Sequence, residues 1–390
     1  MVAIRQIFAV TELNLRGLPQ RFWNSLVIVV GIASVVGVLL SILSYATGLA
    51  GTFASAGDPG RAIVITSGSR DESGQQITRE EALAILNAPG IQRDEDGEPI
   101  ASTENVNNVP VTRVDNQIPV RMVLRGVGPK AFALRPEFKL VDGRMFQPGT
   151  RELLVGTAAQ TQFQNLALGD RVSMPDGEWE IVGAFETGGD LIEGQLLGDI
   201  DTVIASRNSA GYGSLSVRLE SPESFDMFAE ALGSNPALNV EAHRQPEFYA
   251  RNGGQFAALF STLAYFLGTI IAVGALFGTV NIMHSSVALR TREIAILRAL
   301  GFGAAPVAIS VLIEAMLLAI VGALIGAGVA WVLFDGNRNS FGGFVVFDLA
   351  VTPAILSVGL SWALVIALLG AIVPAIRAAR LRVVNALRGN

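Results

Sequence analysis

Cysteine is absent from this 390-residue chain, which excludes disulfides, thiolate metal sites and a cysteine nucleophile. Histidine occurs only as His243 and His284, which are too few and too far apart in sequence for a metal cluster. Lysine occurs only as Lys130 and Lys139, and neither lies in the Gly-Lys-Ser/Thr sequence of a P-loop. The chain therefore lacks the usual means of ATP hydrolysis, and an ATP-driven activity would need a second polypeptide.

Charged residues are also sparse, at 16% of the chain, whereas 51% of the residues are hydrophobic. Soluble globular proteins average about 25% charged residues. The apolar excess lies in four runs, each as long as the roughly 20 residues that cross a bilayer. The first run is longer than the 7–15 apolar residues of a signal peptide. We therefore predict four transmembrane helices, at residues 21–50, 256–284, 305–334 and 351–376.

The distribution of arginine predicts the orientation, because short cytoplasmic loops retain basic residues. Arginines cluster before the first span, between the second and third spans, and after the fourth. Both termini are therefore predicted to be cytoplasmic, and residues 51–255, with 17 basic and 29 acidic residues, to be periplasmic. The remaining segments are predicted as a cytoplasmic interfacial helix at 1–20, a cytoplasmic helix at 285–304, a short periplasmic loop at 335–350 and a cytoplasmic tail at 377–390.

The large segment between the first two spans is too long for a loop and has the patterning of a folded domain. β-Branched residues and alternation predict six strands, one of them at Asp201–Ala205. Thr78 followed by Glu81 predicts a capping box that opens a helix. A second helix is predicted over Pro222–Leu232, with proline in its first turn. These elements predict a mixed α+β domain.

Glycine is predicted to serve two purposes. The glycine-rich stretches Gly57–Gly60 and Arg251–Gly254 flank the periplasmic domain and predict hinges that join it to the spans. Within the membrane, small residues four apart allow helices to approach closely. Two pairs of glycines have this spacing: Gly274 with Gly278, and Gly322 with Gly326.

Glu314 is the one charged residue inside the third apolar run. A carboxylate at the centre of a membrane helix costs about 2.5–3.5 kcal/mol on insertion scales, so its presence needs a reason. It could relay a proton or a cation. It could also make a structural hydrogen bond, or pair with an arginine of the preceding cytoplasmic loop. Local sequence leaves both interpretations open.

The cytoplasmic loop from Arg290 to Gly301 predicts a short helix, because Ile294, Leu297 and Leu300 recur at helical spacing. Gly301 is predicted to be its C′ cap. Such a helix could dock on a soluble partner, or it could anchor the loop at the lipid surface. The charged residues of the helix are Arg290, Arg292, Glu293 and Arg298.

The sequence TREIAILRALG, from Thr291 to Gly301, resembles the motif after the second span in permeases of the MacB, lipoprotein-release (LolC, LolE) and FtsX superfamily. The tail PAIRAARL at 374–381 resembles the family's C-terminal signature, although Val384 and Asn385 stand where the family often has proline and an acidic residue. Residues 140–146, 153–156, 168–172 and 179–183 resemble parts of the MacB-type periplasmic core domain. The resemblance covers nearly the whole chain.

This resemblance implies four transmembrane helices and a mixed α+β domain of MacB periplasmic-core type, with an inserted lobe near residues 130–205. It implies the permease subunit of an ATP-driven export machine in the bacterial inner membrane that works by mechanotransmission. A separate ATPase subunit would bind the ATP and Mg²⁺, and this chain would not be an enzyme. For Glu314 the resemblance favours the structural interpretation. The residues implied to couple to the ATPase are Arg290, Thr291, Arg292, Glu293, Ile294, Leu297, Arg298 and Gly301.

Several partners and alternatives follow from the same resemblance. The chain is expected to form a homodimer, or a heterodimer with a related permease, and a periplasmic membrane-fusion protein and an outer-membrane channel could complete the machine. No nucleic acid partner is expected. The alternatives are a lipoprotein-extracting subunit like LolC or LolE, an FtsX-like regulator of a periplasmic cell-wall hydrolase, and a membrane receptor without an ATPase. No residue pattern identifies the substrate.

Overall fold

The chain forms two compact units. The computed structural model describes residues 2–17, 22–73, 77–114, 117–174, 176–207, 211–341 and 345–381. We call the first unit, Met1–Thr47, Ala258–Asn337 and Leu349–Asn390, the membrane unit. We call the second, Gly48–Ala257 and Arg338–Asp348, the sheet unit.

Long apolar helices dominate the membrane unit, and short helices flank the strands of the sheet unit. In the described residues the α-helices are α1 (Val2–Arg16), α2 (Phe22–Ser55), α3 (Arg79–Leu86), α4 (Ala131–Leu134), α5 (Thr157–Gln162), α6 (Ile200–Ser206), α7 (Phe225–Gly233), α8 (Gln245–Leu289), α9 (Thr291–Ala299), α10 (Ala304–Phe334) and α11 (Pro353–Ala379). Four of these, α2, α8, α10 and α11, are long and apolar enough to cross a membrane. Four membrane helices were predicted from the sequence, and this part of the fold class is confirmed.

The predicted hinge at Arg251–Gly254 is wrong, because these residues are helical and lie within α8. The helix begins at Gln245 and runs without interruption past the predicted start of the second span. Gly253 lies against the ring of Phe53 on α2, and an added Cβ would overlap that ring. Glycine is needed here for the close approach of two helices rather than for bending.

One of the two predicted glycine pairs lies at a tight helix contact. An added Cβ on Gly322 of α10 would lie 2.8 Å from the carbonyl oxygen of Val29 on α2, and one on Gly326, one turn later, would lie 2.5 Å from the carbonyl oxygen of Ala33 on α2. Added Cβ atoms on Gly274 or Gly278 of α8 would meet no heavy atom of the described residues within 4 Å. The first pair therefore brings α10 against α2, whereas among the described residues the second pair marks no comparably close helix contact.

The sheet unit is built on one mixed sheet. Its strands are β1 (Arg61–Thr66), β2 (Ala101–Thr112), β3 (Pro119–Val127), β4 (Lys139–Gly143), β5 (Glu152–Gly156), β6 (Arg171–Met174), β7 (Gly177–Glu186), β8 (Leu196–Asp199), β9 (Ser214–Arg218) and β10 (Val240–Arg244). Their order is β10-β1-β9-β2-β3-β8-β5-β7-β4, with β6 also on β7. The pairs β3–β8 and β5–β7 are parallel. Strands from residues 139–199 therefore form one contiguous half of the sheet, within the segment predicted as the inserted lobe.

The strand predicted at Asp201–Ala205 is wrong, because these residues belong to α6. The side chain of Asp199 accepts a hydrogen bond from the backbone N–H of Thr202 at 3.1 Å and so caps the helix. This capping outweighs the β-branched residues that favoured a strand. The capping box at α3 is present as predicted: Glu81 N–H donates to Thr78 Oγ1 at 3.2 Å, and Thr78 N–H donates to Glu81 Oε2 at 2.8 Å.

Four charged side chains of the sheet unit, Glu72, Glu104, Arg125 and Arg135, are buried and contact one another, and we call them the sheet cluster. Arg125 donates through Nη1 to one oxygen of Glu72 and one of Glu104, both at 2.6 Å, and through Nε to Gln195 at 2.9 Å. Arg135 donates to the other oxygen of Glu104 at 2.5 Å. Burial acts to raise the pKa of Glu104, but the two guanidinium groups outweigh it and hold that pKa below its usual value.

A β-hairpin separates α10 from α11. It consists of β11 (Arg338–Phe341) and β12 (Val345–Asp348), which pair antiparallel and belong to the sheet unit. The sequence predicted only a short periplasmic loop at 335–350. Each strand has only four residues, RNSF and VVFD, and neither alternates between apolar and polar residues, which is the pattern by which a half-buried strand is recognised in sequence.

Candidate coupling site

Helix α9 follows α8 after a single residue, Arg290, and ends in a defined cap. Gly301 has a φ of +94°, and its N–H donates to the carbonyl of Arg298 at 3.2 Å. The N–H of Phe302 donates to the carbonyl of Leu297 at 3.1 Å. Together these bonds form a Schellman motif with Gly301 at C′, the position predicted from the sequence. At the other end, the Thr291 hydroxyl donates back to the carbonyl of Ala288 on α8 at 2.8 Å.

The inner face of α9 fixes the helix to the rest of the membrane unit. Ile294 and Ala295 are buried in it. Arg298 Nη1 donates to the carbonyl of Ala379 at 2.6 Å. That carbonyl lies at the C-terminal end of α11. The positive charge of Arg298 there also interacts favourably with the dipole of α11. Three residues predicted to couple to an ATPase, Arg290, Ile294 and Arg298, therefore face inward and hold α9 in place.

The intramembrane carboxylate Glu314 lies at the centre of this attachment. Arg290 Nη1 donates to Glu314 Oε2 at 2.8 Å, and both side chains are buried. Arg290 Nη2 donates to the carbonyl oxygen of Asn14 at 3.1 Å, and Asn14 Nδ2 donates to Ser310 Oγ at 3.0 Å. We call these four residues the membrane cluster. It joins α1, the α8–α9 junction and α10, and it gives Glu314 the arginine partner considered in the sequence-based interpretation.

A cavity of about 420 Å³ adjoins the membrane cluster, with Val10, Leu13, Met283 and Val307 in its wall. Arg290 Nε is buried and has no hydrogen-bond partner among the residues that the structure describes. The attachment at Arg290 is therefore less tightly packed than a typical protein core.

Within the described ranges, no group of three His, Asp or Glu side chains could hold a metal ion.

The outer face of α9 presents a mixture of charged and apolar side chains. It is formed by Arg292, Glu293, Ile296, Ala299 and Leu300, which are all exposed. Two large apolar side chains stand out, since Ile296 is 45% exposed and Leu300 is 73% exposed. In a helix that leaves the apolar spans, such a patch marks a candidate contact with another protein.

The apolar face predicted from Ile294, Leu297 and Leu300 is therefore only partly right. Ile294 is buried and Leu297 is half-buried, but Leu300 is exposed because the helix ends at Ala299. Sequence reasoning missed Ile296, although its spacing of four from Arg292 and Leu300 indicates a shared face. It also missed Asn14 and Ser310, because nothing in their local sequence differs from an ordinary polar helix residue.

Two family profiles match this chain and together cover most of it. Residues 23–234 match the MacB-like periplasmic core domain, a match that covers more than half of the chain. The chain belongs to the MacB/FtsX-like family of ABC transporter permeases. Residues 265–383 of this MacB/FtsX-like permease match the FtsX-like permease C-terminal region, which includes α9 and Glu314. Strands β1 to β9 lie within the MacB-like match, so the sheet unit corresponds to the periplasmic core domain of the family.

Individual relatives resemble the permease over part of its length. The uncharacterized ABC transporter permease YknZ of Bacillus subtilis is 28% identical over 138 residues, 35% of this chain and 33% of YknZ. The pyoverdine export ATP-binding/permease protein PvdT of Pseudomonas fluorescens is 36% identical over 133 residues, 33% of this chain and 19% of PvdT. The chain thus spans about a third or less of these relatives. The periplasmic region of MacB from Actinobacillus actinomycetemcomitans superposes with a TM-score of 0.37 at 15% identity, over 50% of this chain and 92% of that structure.

Proposed function

We propose that this chain is the transmembrane subunit of an ABC export machine in the bacterial inner membrane. In this proposal both termini and α9 face the cytoplasm, and a separate ATPase subunit binds ATP and Mg²⁺. The ATPase docks on the outer face of α9. Its closure on ATP moves α9, and the movement passes through the membrane helices to the periplasmic sheet unit, which expels a substrate. Two permease subunits would act together in the complex.

The exposure of Ile296 and Leu300 is the observation that carries this proposal. Burying an apolar side chain of this size contributes at most about 1.5–3 kcal/mol. Since Ile296 is already half-buried, we expect the two side chains together to contribute roughly 3 kcal/mol, or about a hundredfold in Kd. A chain with no P-loop lysine that belongs to a family of ABC permeases needs such a contact with an ATPase.

The inner face of α9 supports the same proposal. A force applied to the outer face reaches α10 through the ion pair of Arg290 with Glu314, and α11 through the hydrogen bond of Arg298 with Ala379. The carbonyl of Asn14 connects Arg290 to α1 as well. A carboxylate held by an arginine at this position transmits force without transferring a proton. Glu314 is therefore proposed to be structural rather than part of a relay.

The test is affinity purification of the tagged chain from its native membrane in mild detergent, with bound proteins identified by mass spectrometry. The test variant is Ile296→Ser/Leu300→Ser. The control is Val114→Ser, which removes an apolar side chain of intermediate exposure (50%, against 45% for Ile296 and 73% for Leu300) from the sheet unit. We expect a P-loop ATPase with the wild type and the control, and at least tenfold less with the test variant.

Two results would contradict the proposal: no ATPase with the folded wild type, or equal recovery with the wild type and the test variant. The other co-purified proteins distinguish the remaining alternatives. A membrane-fusion protein would indicate efflux, an acylated lipoprotein would indicate extraction of the LolC/LolE kind, and a cell-wall hydrolase would indicate an FtsX-like regulator. ATP turnover by the purified complex would show that the recovered ATPase is active.

A further inference from the structure

The hairpin between α10 and α11 is an integral part of the sheet unit. Val346 on β12 is buried and belongs to the hydrophobic core that contains Trp179 and Leu153. Val345 and Phe347 on either side of it are buried as well. A surface turn between two membrane helices has no need of three consecutive buried side chains, so these residues indicate that the hairpin is docked.

Polar contacts fix the position of the docked hairpin. Arg113, at the end of β2, donates through Nη1 to the backbone oxygen of Ser340 at 3.0 Å and to its hydroxyl at 2.8 Å. Gln162, at the end of α5, donates to the carbonyl of Arg338 at 3.4 Å. An added Cβ on Gly194 would lie 3.1 Å from the backbone nitrogen of Val346. The hairpin therefore contacts the half of the sheet that carries β5, β7 and β8.

Two short segments of the chain connect this hairpin to α10 and α11. Segments 335–337 and 349–352 are the only links, and they are hydrogen-bonded to each other. Gly336 N–H donates to the carbonyl of Leu349 at 2.9 Å, and Leu349 N–H donates to the carbonyl of Asn337 at 3.0 Å. Val351 N–H donates to Asp335 Oδ1 at 2.9 Å. These bonds continue the antiparallel ladder of β11 and β12 towards α10 and α11.

We infer that this hairpin is a third mechanical connection to the periplasmic sheet unit, in addition to the continuous chain through α2 and α8. It stays docked throughout the transport cycle, so that α10 and α11 act directly on the half of the sheet formed by residues 139–199. Val346 and Arg113 are positioning residues in this connection. The inference rests on the proposed function, because it assigns a route for the movement that the ATPase would cause.

The absence of cysteine from the chain allows a direct test. An added Cβ on Gly194 lies 3.3 Å from Val346 Cβ, close to the 3.5–4.5 Å of a disulfide. Gly194 does not occupy the left-handed region of φ, so cysteine fits its backbone. In the complex of Gly194→Cys/Val346→Cys with its ATPase, we expect equal disulfide yields without nucleotide and after trapping with ATP and vanadate. The two single-cysteine variants are the controls.

A second experiment tests whether the connection carries movement. Arg113→Ala is combined with Gly194→Cys/Val346→Cys, so that oxidation is the one difference between two samples of the same protein. The readout is the change in hydrogen exchange on trapping, measured on peptides from residues 139–199. We expect the reduced sample to show less than half of the wild-type change, and the oxidised sample to recover it. If the docked hairpin only stabilised the sheet unit, oxidation would not alter the change in hydrogen exchange that trapping causes.

The inference is overturned if the disulfide forms in only one nucleotide state, or if oxidation abolishes ATP turnover, because the hairpin would then have to undock. It is also overturned if the reduced and oxidised samples show the same nucleotide-dependent exchange. Failure of the proposed function would look different, since the wild-type chain would then recover no ATPase. The Gly194→Cys/Val346→Cys disulfide would still form in that case.

Discussion

The two units of this permease both bury arginine, but they surround it differently. In the sheet unit Arg125 and Arg135 face Glu72 and Glu104, so that two positive and two negative charges balance within one sheet and its adjoining loops. In the membrane unit, among the residues that the structure describes, Arg290 has a single carboxylate partner, Glu314, and its other terminal nitrogen donates to a backbone carbonyl. A cavity of about 420 Å³ lies beside that second site.

Under the proposed function, this difference separates a structural cluster from one at a junction that moves. The members of the sheet cluster come from the strands β2 and β3 and from adjacent segments, which a sheet holds at fixed distances. The membrane cluster joins α1, α10 and the junction between α8 and α9, and each of its hydrogen bonds connects two of these three segments. Removing a partner from the first is expected to destabilise one folded unit. Removing a partner from the second is expected to release one helix from the others.

The largest effect is expected for Arg125→Met, because it leaves Glu72 and Glu104 buried without their shared partner. Breaking a buried ion pair on one side costs about 3–5 kcal/mol. The measurement is urea-dependent protease resistance of the sheet unit in the full chain. The matched control is Arg79→Ala, which breaks the exposed pair with Asp201 (71% and 67% exposed) and should cost less than about 1 kcal/mol. Similar losses in both variants would show that the sheet cluster does not stabilise the unit.

A smaller effect is expected at the membrane cluster. Arg290→Leu leaves Glu314 alone in an apolar helix and should destabilise the membrane unit by about 2–3 kcal/mol. Glu314→Leu/Arg290→Leu removes both charges, and we expect most of that stability to return, because no buried charge is left unpaired. The measurement is unfolding by SDS titration in mixed micelles. If the double variant is no more stable than Arg290→Leu, then the cost does not come from an unpaired carboxylate.

The smallest effect is the pH dependence of the sheet cluster. Because the pKa of Glu104 is lowered in the folded state, its ionised form stabilises the fold at pH values above its usual pKa of about 4.3. That stability is lost as the pH falls from about 4.3 towards the lowered pKa, and each pH unit between these two values corresponds to about 1.4 kcal/mol. The urea midpoint of the sheet unit should therefore fall less between pH 5 and pH 3 in Glu104→Gln than in the wild type. Equal slopes would exclude Glu104 as a source of the acid sensitivity.

The same contrast explains what could be predicted from the sequence at the two sites. Glu314 is conspicuous in sequence because it interrupts an apolar run, and an arginine of the adjacent loop was one of its predicted partners. Arg125 and Glu104 are not conspicuous, since charges are common in any soluble domain and their burial depends on strand pairing between distant segments. A charged residue in an apolar run can therefore be recognised from the sequence as buried and in need of a partner. In a folded domain, the same conclusion requires the strand topology as well.

Secondary structure was predictable where local chemistry decides it. The capping box at Thr78 and the cap at Gly301 depend on neighbouring residues, and both are present in the structure. Strand β2 was not predicted, because its polar residues Asn105, Asn107 and Asn108 interrupt the alternation of apolar and polar residues that is typical of a strand. Docking of the hairpin on the sheet also could not be predicted, because its buried residues are stabilised by side chains far away in sequence.

Docking also constrains how the segment between α10 and α11 can evolve. A surface turn tolerates insertions and deletions, but β12 must present Val346 to the core. Because side chains alternate along a strand, one inserted residue between Asp335 and Val346 would turn Val346 away and bring a neighbour into its place. We therefore expect functional relatives that keep this core to vary the identity of exposed hairpin residues more freely than the length of the segment.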